Sequence, residues 1–108
     1  MMGHSPSDLV RATTDLGLAA VGANCGRAPE DNDAVFAEFV ATGTELPIWM
    51  KPNAGVPEIV GDEAVYSADA DKLAVHAIGY AQHGARIVGG CCGSTPDHIA
   101  AMAAALNR

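Results

Sequence analysis

Basic residues are scarce in this chain. Six lysines and arginines, scattered singly, stand against thirteen aspartates and glutamates, a net charge of −7. A nucleic-acid binder neutralises phosphates with clustered cations, and an anionic membrane surface asks for the same, so neither partner is expected. Long apolar runs are also missing: no segment approaches the roughly 20 residues that cross a bilayer. The opening Met1-Met2-Gly3-His4-Ser5-Pro6 has neither a basic nor an apolar signal region, so no secretion signal is expected and a cytoplasmic setting is the default. Cysteines number three, a poor basis for a disulfide framework, and a vicinal Cys91–Cys92 bridge would be strained. In a reducing compartment, clustered thiols point instead to a metal or to catalysis.

What is present is a globular composition, 49% apolar and 18% charged, which excludes a disordered tail. The 108 residues fit one small unit. Ser5-Pro6-Ser7-Asp8 reads as a helix start, with Ser5 as cap, Pro6 at the first helical position and Asp8 closing a capping box. Leu9, Ala12 and Leu16 then share a face, and Gly17 ends the helix. Leu18 to Ala23 is short and apolar enough for a buried strand. A polar turn follows, then a helix over about Asp33 to Thr42 with Val35, Phe36, Phe39 and Val40 inward. Leu46 to Lys51 is the next strand, with Trp49 as core packing, and an irregular proline- and glycine-rich loop runs on to Tyr66. A helix over Ala68 to His83 carries Leu73, Ala77 and Tyr80 on one stripe and stops at Gly84. Strand Ala85–Gly89, a cysteine turn and a helix from Pro96 to Leu106, capped by Thr95, complete the chain. One helix followed by three strand–loop–helix units implies an α/β fold of parallel strands with right-handed crossovers.

In such folds the carboxyl ends of the strands are where ligands bind. Cys25 falls at one such end, and Cys91 and Cys92 at another, two units further on. Three thiolates converging on one edge suit a borderline cation, zinc by default, and three protein ligands with a fourth position open is the catalytic pattern. The competing reading is that these cysteines are buried small hydrophobes. The histidines are not expected to reach the metal: His76 and His83 sit in a helix, His98 in a first turn, where it caps or packs, and His4 near the terminus.

Three stretches narrow the choice. Gly22-Ala23-Asn24-Cys25-Gly26, Lys51-Pro52-Asn53-Ala54-Gly55-Val56-Pro57 and Gly89-Gly90-Cys91-Cys92-Gly93-Ser94-Thr95-Pro96-Asp97-His98-Ile99 resemble, in order and spacing, three consecutive motifs of the homocysteine S-methyltransferase family. The resemblance covers essentially all of residues 1–108, including Met1 to Pro6, which is similar to the segment after the family's fifth barrel strand. It implies a (β/α)8 TIM-type barrel, of which this chain supplies the C-terminal part: about three parallel βα units, six to eight, preceded by one helix. It also implies Zn(2+) held by Cys25, Cys91 and Cys92, binding the sulfur of homocysteine. A free thiol has a pKa of about 8.5, whereas a metal-bound one is deprotonated outright. The implied reaction is methyl transfer to that thiolate, giving methionine. Asn53 is either a fourth ligand or substrate-side contact, or a residue that shapes the turn beside Gly55. Asn24 is expected to support the site from outside the ligand set, and Gly26 and Gly93 to let backbone pass close to it.

A full barrel takes about 250 residues, so the first five strands are absent from this sequence. With them go the groups that the resemblance assigns to homocysteine's amino and carboxylate ends. Three readings stay open: a piece that works with a complementary N-terminal half, a self-associating fragment, or a zinc-holding remnant without catalysis. The methyl donor is open too, among methylcobalamin, S-methylmethionine, S-adenosylmethionine and betaine.

Overall fold

The structure, a computed structural model, describes residues 4–55 and 57–107. Met1, Met2, Gly3, Val56 and Arg108 lie outside the described residues, and with them the start of the segment counted toward the family resemblance. The elements run α1 (Pro6–Thr13), β1 (Val21–Cys25), α2 (Pro29–Ala41), β2 (Ile48–Pro52), β3 (Pro57–Val60), β4 (Glu63–Tyr66), α3 (Ala70–Gln82), β5 (Ala85–Val88) and α4 (Pro96–Leu106).

Strands β1, β2 and β5 form one parallel sheet in that spatial order, with Val21 opposite Ile48 and Cys25 opposite Pro52. Helices α2 and α3 are the crossovers, and both pack on the same face. Their apolar stripes meet the strands in two adjoining clusters. Val21, Ile48 and Met50 lie under Phe36, Phe39 and Tyr80, with the Phe36 and Tyr80 rings edge to face at 5.1 Å. Leu73, Ala74 and Ala77 of α3 pack against Met102 of α4 and Val88 of β5. The expected stripe of α3 is thus fully inside. The opposite sheet face carries Gly22, Trp49 and Ile87, and Ile87 is 53% exposed. No other described element covers that face. Trp49 is therefore half-buried on the open side, lying across β1, rather than part of the expected core. A Cβ on Gly22 would sit 1.9 Å from the Trp49 carbonyl oxygen and 2.4 Å from its ring.

Four further expectations change. Helix α2 begins at Pro29, four residues before the expected Asp33, because its cap, Ala28, offers no side-chain acceptor to mark the start. Val40 lies outside the core at the exposed end of that helix. The presumed irregular loop is an antiparallel hairpin, β3 with β4, turned at Gly61-Asp62 with Gly61 at φ +64°. Finally, α1 has its expected capping box, with Ser5 Oγ accepting Asp8 N–H at 3.1 Å. Yet Leu9 and Leu16 face solvent, and Val10 is the residue packed on the core. Two turns packed chiefly on α2 cannot bury a whole stripe.

Candidate metal centre

The sheet order puts β1 and β5 on either side of β2, so the loops after all three strands meet at one edge. Cys25 closes β1 with φ +66°, in the left-handed region that side-chain-bearing residues rarely occupy, and Gly26 follows at φ +75°. Such a turn persists only where its surroundings over-determine it. Here buried Asn32, from the first turn of α2, donates from Nδ2 to the Cys25 carbonyl at 2.7 Å. A Cβ on Gly26 would stand 2.8 Å from that same Nδ2.

The second turn follows β5. Cys91 N–H donates to Pro52 O at 2.9 Å, and Ser94 N–H to Cys91 O at 3.1 Å. Gly93 holds φ +80°, and the Tyr66 ring lies across it so closely that a Cβ would be 2.3 Å from the ring. The chain then enters α4. Thr95 Oγ1 caps the helix, while His98 Nδ1 accepts Thr95 N–H at 3.2 Å, which leaves Nε2–H to donate to Ala68 O at 2.9 Å. The capping role expected of His98 holds.

Between the two turns runs Pro52-Asn53-Ala54, tied to both. Asn53 N–H donates to Cys25 O at 3.1 Å, and Ala54 N–H to Cys92 O at 2.9 Å. The buried Asn53 carboxamide donates from Nδ2 to Gly26 O at 2.6 Å and accepts Cys92 N–H on Oδ1 at 2.9 Å.

The outcome is a cluster: the sulfurs of Cys25, Cys91 and Cys92 all lie within 4.8 Å of one another. All three are free thiols, Cys92 the most exposed. Cys25 Sγ and Cys91 Sγ are 2.8 Å apart, and Asn24 Nδ2 donates to the first at 3.1 Å and approaches the second at 3.6 Å. The pair divides its proton unevenly. The Cys25 thiol, then the Asn24 amide, favour the thiolate of Cys91 and bring its pKa down to about 7. The same bond to Cys91, and then burial, push Cys25 up. Three sulfurs at one edge, one made more acidic by its neighbours, fit a thiophilic cation. Two thiolates on a tetrahedral zinc with bonds of about 2.3 Å stand about 3.8 Å apart, within reach of this cluster by roughly an ångström of side-chain movement.

The histidines stay away from it. His76 Nδ1 pairs with Asp33 at 2.9 Å on the helical face, and His83 Nδ1 bonds Gly79 O at 2.8 Å. Asn32 and Tyr66 support the cysteine turns and were not singled out in the sequence, where neither lies in a cysteine motif.

A parallel sheet with three thiols gathered at its carboxyl edge defines the class: an α/β protein with a candidate thiolate metal site. Comparison with known proteins makes it particular. The chain belongs to the homocysteine S-methyltransferase family, whose profile matches residues 1–106. It is 34% identical over its whole length to methionine synthase of Mycobacterium leprae and 33% identical over 98% of its length to that of Mycobacterium tuberculosis. It spans 9% of the length of each relative.

Proposed function

We propose that residues 1–108 form the metal-holding portion of a homocysteine-binding domain, in which Cys25, Cys91 and Cys92 hold Zn(2+) for methyl transfer to homocysteine. The observation that carries this reading is the convergence of the three sulfurs, drawn from two turns on either side of β2. Bound there, zinc supplies a Lewis acid that keeps a substrate thiol ionised at neutral pH. The chain's own residues set the stage for it. The left-handed turn at Cys25 goes with a sulfur placed 2.8 Å from Cys91 Sγ, and Gly93 under Tyr66 seats the Cys91–Cys92 turn. The Asn24 amide hydrogen-bonds the paired sulfurs and offsets their negative charge. All of this lies at the carboxyl edge of the sheet, where ligands bind in such folds.

The same topology supports the barrel. Strands in sequential order with every crossover on one face make a singly wound sheet, and the bare face with Trp49 and Ile87 is then the barrel's interior. Two unpaired edges call for more strands, supplied by a complementary N-terminal half. The groups that fix homocysteine's amino and carboxylate ends, and the site of the methyl donor, belong to that half or to further domains. No described helix is long and apolar enough to cross a membrane.

The test is methionine formation from homocysteine with methylcobalamin, S-methylmethionine, S-adenosylmethionine or betaine, with and without an N-terminal half from a related enzyme. The chain alone is expected to turn over negligibly, because a loosely held reactant forfeits its effective molarity. Docking of the half is expected to raise the rate by orders of magnitude. Robust turnover by the isolated chain would dismiss the fragment reading. Zinc binding with no turnover in any combination would leave the non-catalytic remnant.

A further inference from the structure

Cys25 closes β1 in a conformation that side chains resist: φ +66°, with Gly26 behind it at φ +75°. A residue with a Cβ keeps such a conformation only where its surroundings impose it. In this turn Cys25 Sγ lies 2.8 Å from Cys91 Sγ, which follows β5, a strand that β1 does not touch. Side chains reach the turn from three directions. Asn24 Nδ2 donates to the sulfur itself at 3.1 Å. From the β2 side, Asn53 places its N–H on Cys25 O at 3.1 Å and Nδ2 on Gly26 O at 2.6 Å. From the helical side comes Asn32 of α2, only 3% exposed, with Nδ2 2.7 Å from Cys25 O and 3.4 Å from Ala28 O. A Cβ on Gly26 would stand 2.8 Å from that same nitrogen. The two left-handed residues are thus folded around the Asn32 amide.

We propose that Asn32 is a positioning residue for the candidate metal centre: by holding Cys25 in its left-handed turn, it brings the first sulfur to the other two. The inference rests on the reading of the three cysteines as zinc ligands, and gives part of that site to a helix residue outside the cysteine motifs. The chemistry at position 32 is particular. Two backbone carbonyls face it, and a carboxamide NH2 supplies a hydrogen to each. Leucine fills a similar volume and donates nothing. It leaves Cys25 O with the Asn53 N–H alone and frees the turn to relax.

The competing role is purely structural, an anchor for the first turn of α2. Loss of an anchor lowers stability but leaves the sulfurs converging. Loss of a positioning residue removes what Cys25 contributes, so deleting the thiol as well adds little. The experiment measures zinc affinity, by competition with a chromophoric chelator, for the 108-residue chain and Asn32→Leu. Cys25→Ser and Cys92→Ser are each measured in both backgrounds, and cobalt(II) spectra are recorded for the parent and Asn32→Leu. Asn32→Leu is expected to bind zinc about 10- to 100-fold more weakly, the usual range for loss of a supporting partner. Its cobalt complex should lose the charge-transfer absorption of one thiolate. Cys25→Ser should cost far less affinity in the Asn32→Leu background than in the parent, whereas Cys92→Ser should cost the same factor in both. Undiminished cobalt absorption in Asn32→Leu, or an equal cost of Cys25→Ser in the two backgrounds, would overturn the proposal. If Asn32→Leu loses its helical circular dichroism, Asn32→Ser takes its place. It keeps one donor and is expected to fall between the parent and Cys25→Ser in both readouts; parent-like values would overturn the proposal. Failure of the ligand reading is distinguishable, since the parent chain would then bind no zinc. The positioning role is in that case decided in metal-free protein, by the rate at which diamide joins Cys25 to Cys91 in a disulfide. Asn32→Leu should slow that step about tenfold or more as the two sulfurs lose their alignment. An unchanged rate would overturn the proposal.

Discussion

Replacing Gly93 by alanine perturbs the cysteine turn in two separable ways. Gly93 holds φ +80°, and a left-handed conformation costs a residue with a Cβ about 1–2 kcal/mol. Its Cβ would also stand 2.3 Å from the Tyr66 ring, so the ring must be displaced, an overpacking strain of about 1–3 kcal/mol. The sum, about 2–5 kcal/mol, is a large fraction of a small unit's stability. The two parts separate in a double-mutant cycle with Tyr66→Ala, because removing the ring relieves the collision and leaves the backbone cost. Urea unfolding of the four proteins should then show Gly93→Ala costing about 1–3 kcal/mol less in the Tyr66→Ala background. The zinc affinity of Gly93→Ala should fall with its stability, since Cys92 is the preceding residue. A full-sized cost that is the same with and without Tyr66 would refute the steric argument. A cost below about 0.5 kcal/mol would refute both.

Two further predictions concern the same edge. In the metal-free protein, Cys91 is the most acidic of the coupled pair, so its alkylation by iodoacetamide should rise with pH around a midpoint near 7, with Cys25 following at higher pH. Site-resolved mass spectrometry would count against the described hydrogen bonds if Cys91 titrated at or above an ordinary thiol's pH. His98→Ala removes the acceptor for Thr95 N–H and the tie to Ala68 O, and chemical denaturation should record a loss of about 1–2 kcal/mol. No measurable loss would show that the two bonds are individually dispensable.

Much of this arrangement is legible in the sequence because its signals are local. Ser5-Pro6 and Thr95-Pro96 announce helix starts by cap and proline, and the Leu73, Ala77, Tyr80 stripe gives α3 its buried face. Cys25 ends β1 and the Cys91–Cys92 pair follows β5 within a short turn, and parallel pairing then brings them to one edge. Where the reading differs, the cause is non-local. Helix α2 starts at an alanine cap, and its first turn is anchored instead by Asn32 reaching back to Cys25 O and Ala28 O. Trp49 leaves the core because Gly22, on the neighbouring strand, makes room for it on the open face. The β3–β4 hairpin has a readable turn in Gly61-Asp62, but its strands are short and exposed and lack the alternation of a half-buried pair. Asn53 could be weighed only as a ligand or a turn residue, since its two partners lie 27 and 39 positions away.

Three thiols from two turns are proposed to hold one metal ion. The most direct test is the zinc content of the purified chain, by elemental analysis after equilibration and desalting, alongside Cys25→Ser, Cys91→Ser and Cys92→Ser. Close to one zinc per chain is expected in the parent protein and a marked loss in each variant, Cys25→Ser included, although Cys25 lies 66 residues from Cys91 in sequence. Full zinc occupancy retained by all three variants would contradict it.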